Sequence, residues 1–159
     1  MKEIERIARL SDELVERYGT RNPFRLADAM DIRVTVCPDF QKLRGMYKVI
    51  LGKRFIFLNG NLKRREAAWT LAHELGHDAL HREMAENSIV QDNFIMDMTL
   101  KPEYEANLFA ANLLFDDGEV AHLLRAGESV DNAARLLGGE KFLLQMKIRI
   151  MESRGRLPS

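Results

Sequence analysis

The chain has 159 residues, 46% of them hydrophobic and 30% charged, which is typical of one globular domain with a proper core. Its 24 basic and 24 acidic residues cancel, so the overall charge does not indicate a protein that binds nucleic acid or a membrane surface. The single cysteine, Cys37, excludes an internal disulfide, and because there is neither a signal-peptide core nor a bilayer-long apolar run, we expect a cytoplasmic protein.

The N-terminal part of the chain predicts two helices followed by a small antiparallel sheet. Apolar residues recur at helical spacing from Ile4 to Val15, and Asn22 before Pro23 has the pattern of a helix cap and a first helical position. Residues 31–36 alternate and are rich in β-formers, which predicts a strand. Residues 44–59 predict a hairpin that turns at Gly52.

The rest of the chain is predicted to be mostly helical. Residues 63 to 82 form one long helical pattern, and Pro102 opens a second one over residues 102–115. Three shorter helical patterns follow, which gives an α+β layout. Residues 85–101 lack a clean period, so we expect an apolar loop that packs into the core, with Met96 and Met98 as alternative contacts for an apolar substrate side chain.

The pentapeptide HELGH, residues 73–77, lies inside the first long helical pattern. Because residues four apart lie on one helical face, His73 and His77 can direct two imidazoles at one metal ion. The Glu74 carboxylate is turned away from that direction, but it can reach a water molecule at the ion and take its proton. This spacing is typical of zinc metallopeptidases, and a chance match on a buried helix is the alternative interpretation.

A catalytic zinc site needs a third protein ligand besides its open position. His81 lies about 12 Å from His73 along a helix that rises 1.5 Å per residue, so these two side chains do not bind the same ion. We therefore expect His81 to be a core histidine or a residue that supports a ligand from behind. Tyr47 and Tyr104, together with His81, are candidates for stabilising an oxyanion.

The better third ligand is a carboxylate on the second long helix. Glu103 and Glu105 are two residues apart, and since two residues turn a helix by about 200°, only one of them can face the ion. Glu103 shares its face with Ala106 and Ala110, which permit a close helix approach, and with Asn107, which can hydrogen-bond the far nitrogen of a ligand histidine. Glu103 is favoured, with Glu105 as the alternative ligand or, more simply, a solvated acid in the first helical turn.

Three blocks in order give the sequence a family resemblance: "IFLN", then "RREAAWTLAHELGHDALH", then "EYEANLFAANLL". The chain resembles the ImmA/IrrE metallopeptidases along nearly its whole length. The resemblance implies a zincin-like core in which His73, His77 and Glu103 hold one Zn²⁺ and Glu74 is the general base. Mn²⁺ and Co²⁺ accept the same ligands. The family's second block usually ends in "LLMP", whereas this chain reads "LLFDDG", a departure that concerns the end of the helix rather than the ligands.

The resemblance also implies a domain organisation and a substrate. We expect one metallopeptidase domain over residues 1–159, with a zincin-like core over 1–125 and helix-turn-helix-like C-terminal helices over 126–159 packed on it. The implied activity is a zinc endopeptidase that cleaves a helix-turn-helix repressor and thereby relieves repression of a phage, a mobile element or a stress regulon.

Two other interpretations stay open at the level of sequence. The C-terminal residues 129–150 contain helix, glycine turn and helix, as in a DNA-binding module. Five basic residues lie near this end: Lys141, Lys147, Arg149, Arg154 and Arg156. Because acidic residues interrupt them, we do not expect DNA binding, which requires a denser basic face. A regulatory protein that binds DNA or a repressor without proteolysis is the alternative function.

Overall fold

The protein is described by a computed structural model over residues 2–87, 90–92 and 100–157. Helices in these ranges are α1 (Lys2–Tyr18), α2 (Pro23–Ala29), α3 (Arg64–Leu80), α4 (Arg82–Asn87), α5 (Lys101–Leu114), α6 (Asp117–Arg125), α7 (Val130–Leu137) and α8 (Lys141–Ser153). Strands are β1 (Arg33–Cys37), β2 (Gly45–Ile50), β3 (Lys53–Asn59) and β4 (Val90–Asp92). The predicted α+β class is confirmed.

The predicted hairpin is formed by β2 and β3. These strands pair antiparallel from Gly45 opposite Leu58 to Ile50 opposite Lys53. The two residues between them, Leu51 and Gly52, have φ values of 51° and 76°, as a two-residue hairpin turn requires.

The sheet is mixed, so the prediction of a purely antiparallel sheet was wrong. Its strand order is β1-β3-β2-β4, and β1 runs parallel to β3. The period-2 pattern of a strand identifies its two faces but not the direction of its neighbours. Residues 38–44 carry the chain from β1 to the far side of β3, where β2 begins, and this crossover has no signature in the alternation.

The segment predicted as a loop over residues 85–101 holds regular structure at its start. Helix α4 extends to Asn87, and β4 adds a short antiparallel strand to β2. The prediction of a bare apolar loop was therefore wrong for these residues. The suggested substrate contacts, Met96 and Met98, lie outside the described residues.

Helix α3 lies between the sheet and α5, and further helices pack around this layered core. A Cβ atom built on Gly76 of α3 would lie 2.9 Å from the carbonyl oxygen of Ala106 in α5. The close approach of the two helices, predicted from the alanines of α5, is thus present. Helices α1 and α8 pack on the other side of α5.

The C-terminal helices α7 and α8 pack against each other, and α8 also packs on α5 and α1. Gly138 ends α7 in the left-handed conformation, with φ of 75°. The division into a core over 1–125 and a C-terminal unit over 126–159 stays a prediction. In the described ranges, none of the helices combines the length and the apolar character needed to cross a membrane, and the cytoplasmic location also stays a prediction.

Candidate metal centre

Three ionisable side chains of α3 are completely buried although the helix lies between apolar layers. His73, Glu74 and His77 each have 0% exposed surface. The segment from Trp69 to Asp78 is buried all round, because the sheet covers one side of α3 and α5 covers another. Burying polar and ionisable groups costs free energy unless they are paired or bind an ion. Their concentration on one turn of α3 therefore indicates a functional site.

His73, His77 and Glu103 converge on one point between α3 and α5. The Nε2 atom of His73 lies 2.8 Å from Oε2 of Glu103, and Nε2 of His77 lies 3.1 Å from Oε1 of the same carboxylate. One potential ligand atom from each residue lies within 4.8 Å of the others. Glu103 belongs to the first turn of α5 and its side chain is 12% exposed, so the buried cluster opens toward solvent on its side.

The chemistry of this donor set fits a divalent metal ion. Two imidazoles and a carboxylate are a typical three-ligand set of catalytic zinc sites. Ligand atoms at 2.0–2.2 Å around a tetrahedral ion are about 3.3 Å apart, and the two nitrogen–carboxylate distances are a few tenths of an ångström shorter. A small shift of the Glu103 carboxylate is therefore enough to accommodate an ion.

Asn107 contacts the ring nitrogen of His73 that faces away from Glu103. Its Oδ1 lies 2.7 Å from Nδ1 of His73. Since an amide oxygen only accepts, this contact assigns a hydrogen to Nδ1, and the lone pair of Nε2 is then available to an ion placed between it and Glu103. This is the arrangement that the face of α5 predicts for a residue behind a ligand histidine. The roles of these residues in binding metal stay predictions.

The Glu74 carboxylate lies against the start of β2. A Cβ atom built on Gly45 would lie 2.9 Å from Oε1 of Glu74 and 2.9 Å from Cγ2 of Thr70. The absence of a side chain at position 45 thus leaves room for the carboxylate. Sequence reasoning placed Gly45 inside the predicted hairpin and missed its role, because the pattern of a strand does not show which side chain of another element lies against it.

The IrrE N-terminal-like domain family matches residues 27–146 of the chain. The chain belongs to the ImmA/IrrE family of metallopeptidases. It is 31% identical over 134 residues to "Uncharacterized immunity region protein 2" of Bacillus phage phi105, and the matched stretch covers 84% of each chain. It is 26% identical over 106 residues to "Metallopeptidase ImmA" of Bacillus subtilis (strain 168), and the matched stretch covers 65% of this chain and 60% of that protein. No solved structure matches it. The predicted family membership is confirmed, and the buried histidine and glutamate cluster fits its zincin-like core.

Glu105 is not a solvated acid, so that part of the sequence interpretation was wrong. Only 7% of this residue is exposed, and its Oε1 lies 3.1 Å from Nε2 of His81. Arg6 of α1 lies 3.7 Å from its other oxygen. Burial, together with the neighbouring Glu3, raises the pKa of the Glu105 carboxyl. As an alternative metal ligand Glu105 is disfavoured, because it contacts His81 on another face of α5.

Tyr47 points into a different buried cluster, which argues against its proposed role at the oxyanion. Its hydroxyl donates to Oδ1 of Asp78 at 2.5 Å, and Arg54 and Arg82 donate to the other oxygen at 2.9 and 3.2 Å. Burial and the contact with Asp78 raise the pKa of Tyr47 well above its ordinary value. This cluster joins the sheet to the end of α3, and we interpret it as structural. The other tyrosine candidate, Tyr104, is half-buried against the core.

Proposed function

We propose that the protein is a zinc endopeptidase whose substrate is a helix-turn-helix repressor of a phage, a mobile element or a stress regulon. The observation that supports catalysis best is the convergence of His73, His77 and Glu103 beside the buried Glu74. A merely structural ion is usually enclosed by four protein ligands. Three ligands with a carboxylate one residue from the first histidine suit hydrolysis instead.

Each residue of the site has a distinct task in peptide hydrolysis. His73, His77 and Glu103 would hold the ion, which supplies Lewis-acid polarisation of the scissile carbonyl and lowers the pKa of an attacking water to about 7. Glu74 accepts the proton of that water and delivers it to the leaving amine nitrogen. The lack of a side chain at Gly45 leaves room for the Glu74 carboxylate. The same ligands also accept Mn²⁺ and Co²⁺, so metal analysis of the purified protein must accompany the assays.

Two observations support a repressor as substrate. The family resemblance implies one, and a relative that matches over 84% of the chain is named for a phage immunity region. In the described residues, the sheet, the two helices that carry the site and the C-terminal helices account for most of the chain and leave little to build a deep set of side-chain subsites. We infer that specificity comes from docking a folded partner, whose remote binding energy positions the scissile peptide.

The alternative, a protein that binds DNA without cleaving, is disfavoured by the C-terminal charges. The side chain of Lys147 is 1% exposed and that of Arg154 is 8% exposed, and both pair with acidic residues of the same chain. Lys141 pairs with Asp131 and Arg156 with Asp117. Four of the five basic residues therefore already have acidic partners in the same chain, Lys147 and Arg156 sharing Asp117, and a phosphate backbone would have to compete with those pairs.

The test is a cleavage assay with a helix-turn-helix repressor, which we expect to be encoded beside the gene. Repressor and metal-loaded protein are mixed and followed by intact mass. We expect two fragments that sum to the repressor, lost with a chelator and with Glu74→Gln, while the exposed Glu86→Gln on α4 stays active as the matched control. Casein should remain nearly intact. Broad casein digestion at a similar rate would contradict the specificity, and an active Glu74→Gln protein would contradict the role of Glu74.

A repressor that binds but stays uncut would favour the regulatory alternative. In that case a metal content of one ion per chain would still separate a metal-binding regulator from a protein without a metal site.

A further inference from the structure

The second ligand histidine, His77, is held by another histidine rather than by an amide or a carboxylate. His81 lies one helical turn further along α3, and the Nδ1 atoms of the two rings are 2.9 Å apart. On its other side, Nε2 of His81 lies 3.1 Å from Oε1 of Glu105. A continuous row of short contacts therefore connects α5 through His81 to the ring of His77.

The position of one hydrogen in this row determines all the others. A carboxylate can only accept, so contact with Glu105 places a hydrogen on Nε2 of His81. In a neutral ring the Nδ1 of His81 is then an acceptor, and a hydrogen bond at 2.9 Å requires the Nδ1 of His77 to donate. The Nε2 of His77, 3.1 Å from Oε1 of Glu103, is then left with a lone pair. Because a carboxylate oxygen also only accepts, these two atoms suit a metal ion placed between them.

We propose that Glu105 and His81 are positioning residues, which fix the tautomer and orientation of His77 that can bind a metal ion. The inference rests on the proposed metal centre, and it gives Glu105 a role other than ligand. In the usual arrangement, one carboxylate or carbonyl contacts a ligand histidine directly. Here the imidazole of His81 lies between the Glu105 carboxylate and His77. Without Glu105, His81 could carry its hydrogen on Nδ1, and two N–H groups would then face each other.

Helix α1 covers the Glu105 carboxylate and contributes residues that contact it. Arg6 lies 3.7 Å from its second oxygen, and the Glu3 side chain is beside it. The carboxylate is thus buried under α1, with its free oxygen directed at His81. By contrast, His73 is supported in a single step by Asn107. The orientation of His77 is therefore linked to α1 and α5 through His81 and Glu105, whereas that of His73 is linked directly to α5.

The experiment compares substitutions that remove or keep the acceptor at position 105. Glu105→Leu removes it, whereas Glu105→Gln keeps an amide oxygen for His81 and offers its amino group to Glu3. His81→Leu removes the intermediate ring, and His122→Leu is the matched control, because His122 is exposed on α6. Zinc affinity is measured by competition with a chelator, and folding by thermal unfolding.

We expect Glu105→Leu and His81→Leu to weaken zinc binding by about 10- to 100-fold, the usual effect of removing a partner of a ligand histidine. Glu105→Gln and His122→Leu should retain the wild-type affinity. Equal losses in Glu105→Gln and Glu105→Leu, or wild-type affinity in His81→Leu, would overturn the proposal.

A second measurement needs no variant to fold. In the metal-free wild-type protein, the ¹⁵N shifts of the imidazole rings should show His77 protonated at Nδ1 and His81 at Nε2. A His77 ring that carries its hydrogen on Nε2 alone would overturn the proposal. This measurement tests the positioning role separately from the metal centre. A wild-type protein that binds no zinc would contradict the proposed metal centre, whereas the ¹⁵N shifts would still determine the tautomers of His77 and His81.

Discussion

The contact between α3 and α5 at Gly76 offers a strict test of how the metal centre is built. Gly76 lies between the two ligand histidines in sequence, and no side chain separates its backbone from α5. A Cβ atom at this position would lie 2.9 Å from the carbonyl oxygen and 3.0 Å from Cα of Ala106, and 3.2 Å from Cβ of Phe109. Gly76→Ala therefore forces the helices apart, since backbone atoms cannot rotate away.

Two opposing effects determine the magnitude. Alanine is favoured over glycine inside a helix by about 1 kcal/mol. Overpacking a filled interior costs about 1–3 kcal/mol, and the backbone contact at 2.9 Å places this site in the upper half of that range. We expect the free energy of unfolding to fall by about 1–2 kcal/mol. Restoring ordinary contact at about 3.5 Å requires a shift of about 0.6 Å between the helices, which moves Glu103 relative to both histidines.

Zinc affinity is the more sensitive readout of that shift. Since ligand sets must be held to within about 0.5 Å, Gly76→Ala should weaken zinc binding by at least about 10-fold, measured by chelator competition. Gly118→Ala is the matched control for zinc affinity, because its Cβ would meet only Oδ2 of Asp116, the N-cap of α6, at 3.1 Å, and no residue of the proposed metal centre. A Gly76→Ala protein with unchanged stability and zinc affinity would refute the close approach as the feature that sets the ligand geometry.

Three further predictions concern the site and its support. Gly45→Ala should reduce cleavage by about 10- to 100-fold with metal content unchanged, because its Cβ displaces the Glu74 carboxylate. Glu103→Ala should lose the metal, as determined by metal analysis after dialysis; a full metal complement would place the third ligand elsewhere. Lys147→Met should lower the free energy of unfolding by about 2–3 kcal/mol, less than for a fully buried pair because Asp117 is 30% exposed. Burial raises the pKa of Asp117, but the pair with Lys147 helps to lower it overall. The stabilisation by this pair is therefore present above about pH 4 and lost as the pH falls further. The free energy of unfolding, measured with denaturant, should differ less between pH 7 and pH 3 in Lys147→Met than in the wild-type protein.

The parts of the site that sequence could predict are those encoded within one helix. The spacing of His73 and His77 places both on one face of α3, and the phase of α5 separates Glu103 from Glu105. Phase could not show what covers the face of Glu105. That depends on α1, whose Arg6 is about a hundred positions away in the chain, so a buried supporting residue was mistaken for a solvated acid.

The parts that sequence could not predict depend on how separate segments meet. Alternation identified β1 and the hairpin, yet the parallel pairing of β1 with β3 follows from the path of residues 38–44. The role of Gly45 depends on which helix lies beneath the sheet. The short strand β4 has three residues and no period of its own to detect, and it exists because β2 offers it a partner.

Buried polar contacts at the far end of α5 connect the helix that carries Glu103 to α1 and to the C-terminal helix α8. Nζ of Lys147 in α8 donates to Oδ1 of Asn112 at 2.8 Å, and Nδ2 of Asn112 contacts Oγ of Ser11 at 2.6 Å and the carbonyl oxygen of Ala8 at 3.0 Å. These contacts fix the end of α5 to α1 and α8, just as Glu105 fixes its beginning. Because a helix moves nearly as a rigid rod, holding both ends determines where Glu103 lies. The basic residues that suggested a DNA-binding surface thus act, in part, as internal anchors of the ligand helix.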